Sequence, residues 1–142
     1  MYESGDKAGA ADAFLSMAIG PSYRASIDRT LTTGWFEQAV ADLDTLFQVE
    51  GPALREWHFT EELSRPISQP VLSVVGAESG PESGVFARES HALLEQWLPQ
   101  AEAFVLPGAT HGLQLQNPHG MAEGLAAFLA RHPMSAGTPA PA

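Results

Sequence analysis

Residues 70–76 read PVLSVVG, and this stretch decides the fold class. It is a short β-branched run bounded by a proline and a glycine, which is typical of a strand buried in a parallel sheet. We therefore predict a strand over residues 71–75. The apolar residues before Pro70 recur at helical spacing, so the period of the pattern changes at this point.

The residues that follow predict one β-α-β unit and a closing helix. VFARESHALLEQWL resumes helical spacing, and AEAFVLPG is a second strand that ends at Pro107–Gly108. The crossover between the two parallel strands is expected to be right-handed. Asn117 is the predicted N-cap of the last helix, and Pro118 is its first residue. This helix is expected to turn four apolar residues inward: Met121, Leu125, Phe128 and Leu129.

The first part of the chain is predicted to be helical throughout. Asp6 is the expected N-cap of the first helix, which ends at Gly20–Pro21, and a short helix follows over residues 23–29. A third helix is expected to break at Gly51–Pro52. The fold class is therefore α/β, with a helical segment followed by a β-α-β-α unit.

The domain organisation follows from a shift in composition near residue 65, the only internal boundary that the sequence indicates. Residues 1–65 form the predicted helical segment, and residues 66–133 form the β-α-β-α part. Residues 134–142 are rich in proline and alanine and are expected to be a disordered tail.

Composition excludes several classes of function. Seven basic residues against seventeen acidic ones give a net charge of −10, which disfavours nucleic acid and anionic membranes as partners. The absence of cysteine removes disulfides, thiolate catalysis and cysteine-type zinc sites. There is no apolar run of membrane-spanning length, and the start of the sequence does not resemble a signal peptide. We expect a cytoplasmic protein that does not bind membranes.

Three stretches resemble the α/β-hydrolase family. ISQPVLSVVGAES (67–79), WLPQAEAFVLPGATHGLQLQNP (97–118) and MAEGLAAFLARHP (121–133) look like the last two strands and the last helix of such enzymes. Residues 1–64 look like the helical cap inserted before them. The resemblance implies a hydrolase that acts on a small apolar, ester-like substrate.

The resemblance also implies a catalytic histidine. In this family the triad appears in the chain order nucleophile, acid, histidine. His111 follows the last predicted strand directly, in PGATH, and matches the histidine position. A histidine there would act as general base toward a serine hydroxyl, since its ordinary pKa is near neutrality. The alternative is a purely structural loop residue that caps the closing turn.

The acid and the nucleophile depart from the family pattern. Ser79 occupies the usual position of the acid, so the resemblance leaves Glu78 or Glu82 as substitutes from the same loop, unless the acid lies elsewhere. Either carboxylate could instead be a solvated loop residue. The nucleophile motif Gly-x-Ser-x-Gly is missing, because GAESG and GPESG place Ser79 and Ser83 one position too late. We therefore expect a partial hydrolase whose nucleophile lies upstream of Met1 and which is inactive alone.

Two aromatic residues are candidates for substrate binding. By the resemblance, Trp35 and Phe36 would line an apolar pocket under the cap, although aromatic residues at helical spacing more often form core. The remaining histidines show no metal-ligand spacing and are interpreted as surface or helix-end residues, and no cofactor is expected; they are His58, His91, His119 and His132.

Two other functional interpretations stay open. One is a non-catalytic binding or interaction module that holds a small apolar ligand or a partner chain on the apolar face of the helical segment. The other is a degenerate or truncated product without function. Under any of them, a sheet with few strands leaves open edges through which copies could associate.

Overall fold

The computed structural model describes residues 1–133, except for the side chains of residues 81–88. It is a mixed α/β structure in which helices surround a two-stranded parallel sheet. The predicted fold class is confirmed at this level. The predicted tail at residues 134–142 lies outside the described residues.

The first helix begins and ends at the residues that the sequence indicates, whereas the second ends two residues before the predicted residue 29. Helix α1 spans Lys7–Ile19, and the Asp6 side chain caps it by accepting a hydrogen bond from the Gly9 backbone N–H at 2.9 Å. Gly20 ends the helix with φ +110°, a conformation that side chains other than glycine rarely adopt. Helix α2 spans Tyr23–Ile27.

The third helix does not break at Gly51–Pro52, so that prediction was wrong. Helix α3 (Trp35–Thr45) continues through a π-helical turn (Leu46–Glu50) directly into α4 (Gly51–Glu56). In the π turn, the Gly51 N–H bonds to the Leu46 carbonyl five residues earlier. This change of hydrogen-bond register just before the proline lets the helix continue although proline lacks a backbone donor. A further short helix, α5, spans Glu61–Ser64.

The sheet follows the predicted β-α-β order. Strand β1 (Val71–Gly76) pairs in parallel with β2 (Ala101–Leu106), and α6 (Pro81–Trp97) connects them. The register places Val71 beside Ala101 and Gly76 beside Leu106. Side chains alternate between the two faces of a strand, which decides what each neighbouring helix covers.

Helices α6 and α8 lie on opposite faces of this sheet. On one face, His91 of α6 contacts Ser73 of β1. On the other, α8 (Pro118–Arg131) packs Gly124 against the Phe104 ring of β2. The short helix α7 (Leu113–Gln116) precedes α8, and Asn117 caps α8 as predicted, through a 2.9 Å bond from the Gly120 N–H.

Only part of the apolar stripe on α8 is buried. Phe128 is 8% exposed, as predicted, whereas Leu125 and Leu129 are 42% and 51% exposed. The inward orientation predicted for these two leucines was wrong. The reason is geometric, because among the described residues the sheet is two strands wide and does not reach across the whole stripe.

Two apolar clusters hold the helical segment together. Ala10, Ala11 and Leu43 form the first, between α1 and α3. The second contains Ile19, Tyr23 and Ile27, and it extends to Leu115 of α7. The second cluster therefore joins the helical segment to the β-α-β-α part across the predicted boundary near residue 65. Within residues 1–133, no helix is long and apolar enough to cross a bilayer.

Candidate active site

The loops that follow the two strands lie side by side at the carboxyl edge of the sheet. The Ala77 N–H donates to the Leu106 carbonyl and the Glu78 N–H donates to the Ala109 carbonyl, both at 2.9 Å. Gly76 makes this approach possible, because a Cβ there would lie 2.3 Å from the carbonyl oxygens of both Ala109 and Thr110. In open α/β sheets, ligands bind outside this edge.

The second of these loops carries His111 and is also anchored to the helical segment. The Thr110 hydroxyl donates to the Ile19 carbonyl at 2.8 Å, and the Thr110 N–H donates to the Gln116 side chain at 2.7 Å. Gly112 lies so close to Ile19 that a Cβ would be 3.1 Å from it. The backbone on either side of His111 is therefore held in place from two directions.

His111 itself points away from these contacts. Its neighbours Ala109 and Gly112 are buried, whereas the His111 side chain is exposed. Glu78 is also exposed, on the adjacent loop. In the described part of the chain, no hydrogen bond or ion pair joins these two side chains. The structure thus brings both predicted residues to one edge without pairing them, and their catalytic roles stay predictions.

Ser79 and Glu82 are the two other residues considered at the position of the acid. Ser79 is 5% exposed, and its N–H donates to the Gly76 carbonyl at 3.2 Å, so it belongs to the turn that ends β1. Glu82 lies near the start of α6, and its side chain is outside the described residues.

Trp35 is half-buried and serves the packing of the helical segment. Its indole N–H donates to Asp28 at 2.7 Å, and its ring packs edge-on against Tyr23 at 6.1 Å between centroids. Burial of Tyr23, together with the hydrogen bond that it donates to Asp12, raises the pKa of Tyr23 to about 12. Its hydroxyl therefore remains protonated at physiological pH.

Phe36 lies beneath a fixed cation. The Arg24 guanidinium sits 3.9 Å from the centre of the Phe36 ring and is also paired with Asp12 at 2.8 Å. A pocket of about 340 Å³ opens beside both aromatic residues, but Arg24, Asp28 and Glu37 are among its lining residues. This polar surface differs from the apolar pocket that the resemblance implied, and substrate binding by Trp35 and Phe36 stays a prediction.

A serine–histidine pair occurs where the sequence did not indicate one. His91 Nδ1 lies 2.6 Å from the Ser73 hydroxyl, which is on the buried strand β1 and 6% exposed. The interpretation of His91 as a surface or helix-end residue was therefore wrong. A lone serine within an apolar strand was the available signal, since buried hydroxyls almost always have a partner. Ser73 lies in mid-strand under a helix, so the pair fastens α6 to β1 rather than presenting a nucleophile.

Charged clusters elsewhere are small and structural. On the α8 face of the sheet, Glu102 binds both Arg131 and His132, and these contacts hold the pKa of Glu102 below its ordinary value. Near the start of the chain, Lys7 and then Tyr2 bind Asp44 and lower its pKa in the same way. Among the described residues, no group of three or more histidines, aspartates or glutamates could hold a metal ion.

Comparison with protein-family models, with curated proteins and with solved structures finds no match to this chain.

Proposed function

We propose that this chain is the histidine-bearing and substrate-covering part of an α/β-hydrolase that acts on small apolar, ester-like substrates. The observation that carries the proposal is the pair of loops at the carboxyl edge of β1 and β2, which expose Glu78 and His111 on one edge. This is the edge at which open α/β sheets bind their ligands. The order of strand, helix, strand, histidine loop and closing helix supports the same assignment.

In this proposal His111 is the general base. Its ring would take the proton from a serine hydroxyl during attack on the ester carbonyl and return it to the leaving alcohol. Glu78 is the proposed acid, whose side chain would turn toward the imidazole and stabilise its protonated form once substrate or a further segment covers the site. The helical segment would cover the substrate, because Ile19 of α1 anchors the histidine loop from that side.

The serine must come from another segment, since the 142 residues contain no Gly-x-Ser-x-Gly. Strand β1 pairs with β2 on one side, and among the described residues no strand occupies its other side. A further parallel strand of the complete sheet would pair there, and the nucleophile elbow would belong to the same additional segment. Without it the chain lacks both nucleophile and oxyanion hole, and we expect it to hydrolyse nothing alone.

The test begins with the coding DNA immediately upstream of the Met1 codon. The proposal expects an open frame that encodes a Gly-x-Ser-x-Gly segment. The longer product should hydrolyse p-nitrophenyl butyrate, and a fluorophosphonate probe should label its serine. His111→Ala should lower kcat by roughly a thousandfold or more, because triad members act as a unit. Glu78→Gln should also lower kcat if Glu78 is the acid, and should leave it unchanged if the acid is elsewhere.

Two outcomes would overturn the hydrolase proposal. One is a stop codon followed by translation signals that belong to the short chain. The other is a longer product whose esterase activity does not depend on His111. Either result would favour the second candidate function, a non-catalytic binding module. The observation that favours this second function is the exposed apolar surface of the helical segment, where Met17, Val49, Leu54 and Trp57 are each more than 60% exposed.

A further inference from the structure

An aromatic cleft lies at the end of the molecule opposite His111. Helix α6 starts after β1 and returns to the amino edge of the sheet, where the Ala101 N–H donates to the Leu98 carbonyl and β2 begins. Since His111 follows the other end of β2, a six-residue strand, or roughly 17 Å, separates the two regions. The cleft has a volume of about 370 Å³ and is lined by Trp57, His58, Phe59, Ser90, Leu93, Leu94 and Trp97.

Three aromatic rings form a continuous wall of this cleft. Trp57 and Phe59 are stacked, with centroids 5.9 Å apart and planes 20° apart, and Phe59 lies 6.1 Å from Trp97. Apart from the two indole nitrogens, His58 and Ser90 supply the polar side chains among the described residues of the lining. A small apolar pocket with few polar groups is the usual composition of a small-molecule site, and its volume is within the usual range.

A second apolar pocket adjoins the first, and Glu50 is among its lining residues. It has a volume of about 480 Å³ and is lined by Glu50, Ala53, Leu54 and Trp57, so Trp57 forms part of both pockets. Trp57 is 64% exposed, which leaves much of its ring open to a ligand. No lysine or arginine is among the described residues that line either pocket, and the whole chain carries a net charge of −10.

We infer that the cleft binds a small amine with an aromatic body. The body would stack in the first pocket against Phe59 and Trp97, and the ammonium would lie over Trp57 on the side of Glu50. Tryptophan provides the strongest cation–π contact of the aromatic side chains, and the negative surface attracts a cation. The same charge disfavours a second copy as the occupant, because two chains that each carry a net charge of −10 repel one another.

The experiment compares three probes that share one phenylpropyl body: 3-phenylpropylamine, 3-phenylpropanol and 3-phenylpropionate. Binding is followed by the indole N–H signals of the three tryptophans in two-dimensional NMR. The amine should shift the signals of Trp57 and Trp97 and leave that of Trp35, which is bonded to Asp28, unchanged. The amine should bind roughly two- to fivefold more tightly than the alcohol, and the carboxylate should bind least.

Two variants and a control distinguish the contribution of the Trp57 ring to binding from that of the Glu50 charge. Trp57→Ala should weaken the amine at least tenfold with an unchanged circular dichroism spectrum, since Trp57 is mostly exposed. Glu50→Gln should reduce the preference for the amine over the alcohol while leaving alcohol binding intact. Glu3→Gln changes an exposed carboxylate outside the cleft lining. It should alter neither the binding of the amine nor that of the alcohol.

Several results would overturn the inference. One is 3-phenylpropionate binding as tightly as 3-phenylpropylamine. Others are indole N–H shifts at Trp35 equal to those at Trp57, or no shift of any indole signal at millimolar amine. Sedimentation that shows a dimer dissociated by Trp57→Ala would assign the cleft to a second copy instead. The inference stands apart from the hydrolase proposal, because His111→Ala should leave amine binding unchanged.

Discussion

Two buried serines of this protein lie within hydrogen-bond reach of residues far away in the sequence. Among the described residues, no buried side-chain nitrogen or oxygen lacks a hydrogen-bond partner. The Ser64 hydroxyl is within reach of the Trp97 carbonyl, and Ser73 is paired with His91. The Ser73–His91 pair fixes the position of α6 on β1, because an unpaired buried group would cost about 1–3 kcal/mol. The Ser64 hydroxyl, by contrast, also donates to the Glu61 carbonyl within its own helix.

Tyr23 predicts a loss of stability at alkaline pH. Its pKa is raised from an ordinary value of 10.0 to about 12, chiefly by burial. The folded state therefore holds the proton more tightly than the unfolded state, and this contribution is complete below pH 10 and is lost as the pH rises toward 12. The free energy of unfolding, from urea titrations at pH 8 and pH 11, should fall less in Tyr23→Phe than in the unchanged chain.

A smaller alkaline loss should remain in Tyr23→Phe, because the hydrogen bond to Asp44 also raises the pKa of Tyr2. The double variant Tyr2→Phe with Tyr23→Phe is the control for the contribution of Tyr2 to the loss of stability. Equal losses in the unchanged chain and in Tyr23→Phe would contradict the assignment of the effect to Tyr23.

The Ser73–His91 pair predicts a structural and not a catalytic phenotype. Ser73→Ala removes one buried hydrogen bond, so the free energy of unfolding should fall by about 1 kcal/mol. Fluorophosphonate should not label Ser73 in the folded chain, because its side chain lies in mid-strand and is 6% exposed. Mass spectrometry after labelling checks this point, and a covalent adduct on Ser73 would show that the pair is a nucleophile and its base.

At the level of elements, the carboxyl ends of β1 and β2 are joined through their loops. The Glu78 N–H bond to Ala109 and the contact of Gly76 with the next loop hold the turns together. Asn117 extends this network, because its side chain caps α8 and also donates to the Pro107 carbonyl at 2.9 Å. The histidine loop is thus positioned by β1, α1 and α8 together.

Two glycines of the first loop should respond differently to alanine. In Gly76→Ala the new Cβ would meet two carbonyl oxygens at 2.3 Å, which forces the loops apart at a cost of about 2–3 kcal/mol. Gly80 has φ −79°, and no atom of the described residues lies within 4 Å of the place that a Cβ would take there, so Gly80→Ala should change stability by less than about 0.5 kcal/mol. Urea denaturation of both variants measures the difference, and similar midpoints would refute the close packing at Gly76.

For the whole molecule, the narrow sheet leaves apolar surface beside its edges. Val105 of β2 is 54% exposed on the α6 face of the sheet, and Leu125 and Leu129 of α8 are 42% and 51% exposed beside the opposite face. Exposed apolar edge strands favour pairing with other chains, whereas a net charge of −10 opposes it. Association should therefore depend on both concentration and ionic strength.

We expect reversible self-association that increases with protein concentration and with salt, because salt screens the like charges. Val105→Lys places a charge beside the open edge and should reduce association in sedimentation velocity experiments. Leu31→Lys is the matched control, since Leu31 is 44% exposed and belongs to the helical segment. An unchanged sedimentation coefficient at all concentrations, or a larger effect of Leu31→Lys, would contradict association through the sheet.

Features with local causes were predictable from the sequence. Asp6 and Asn117 cap α1 and α8 because a side chain three residues before a free N–H can reach it in any context. The β-branched run likewise favours strand β1 locally, and Pro107–Gly108 ends strand β2 directly after Leu106. The exposed position of His111 also follows a local rule, since it comes directly after a strand and a turn.

Other features were not predictable, because they depend on backbone geometry or on contacts between elements. The passage of the helix through Gly51–Pro52 depends on a shift of hydrogen-bond register in the preceding turn, which the residue types do not specify. The pairing of His91 with Ser73 joins residues 18 positions apart in different elements. The exposure of Leu125 depends on how wide the sheet is, and an apolar pattern carries no information about its partner.

The sequence by itself therefore determined the element types, the helix caps, the β-α-β order and the acidic charge, because propensity, capping and periodicity act over one or two turns. Only the tertiary structure decided that the loops after β1 and β2 meet at Gly76, that Trp35 and Phe36 pack beside charged groups, and that an aromatic cleft opens at Trp57. The physical reason is that side-chain contacts between elements depend on packing distances and helix rotation, which no local pattern encodes.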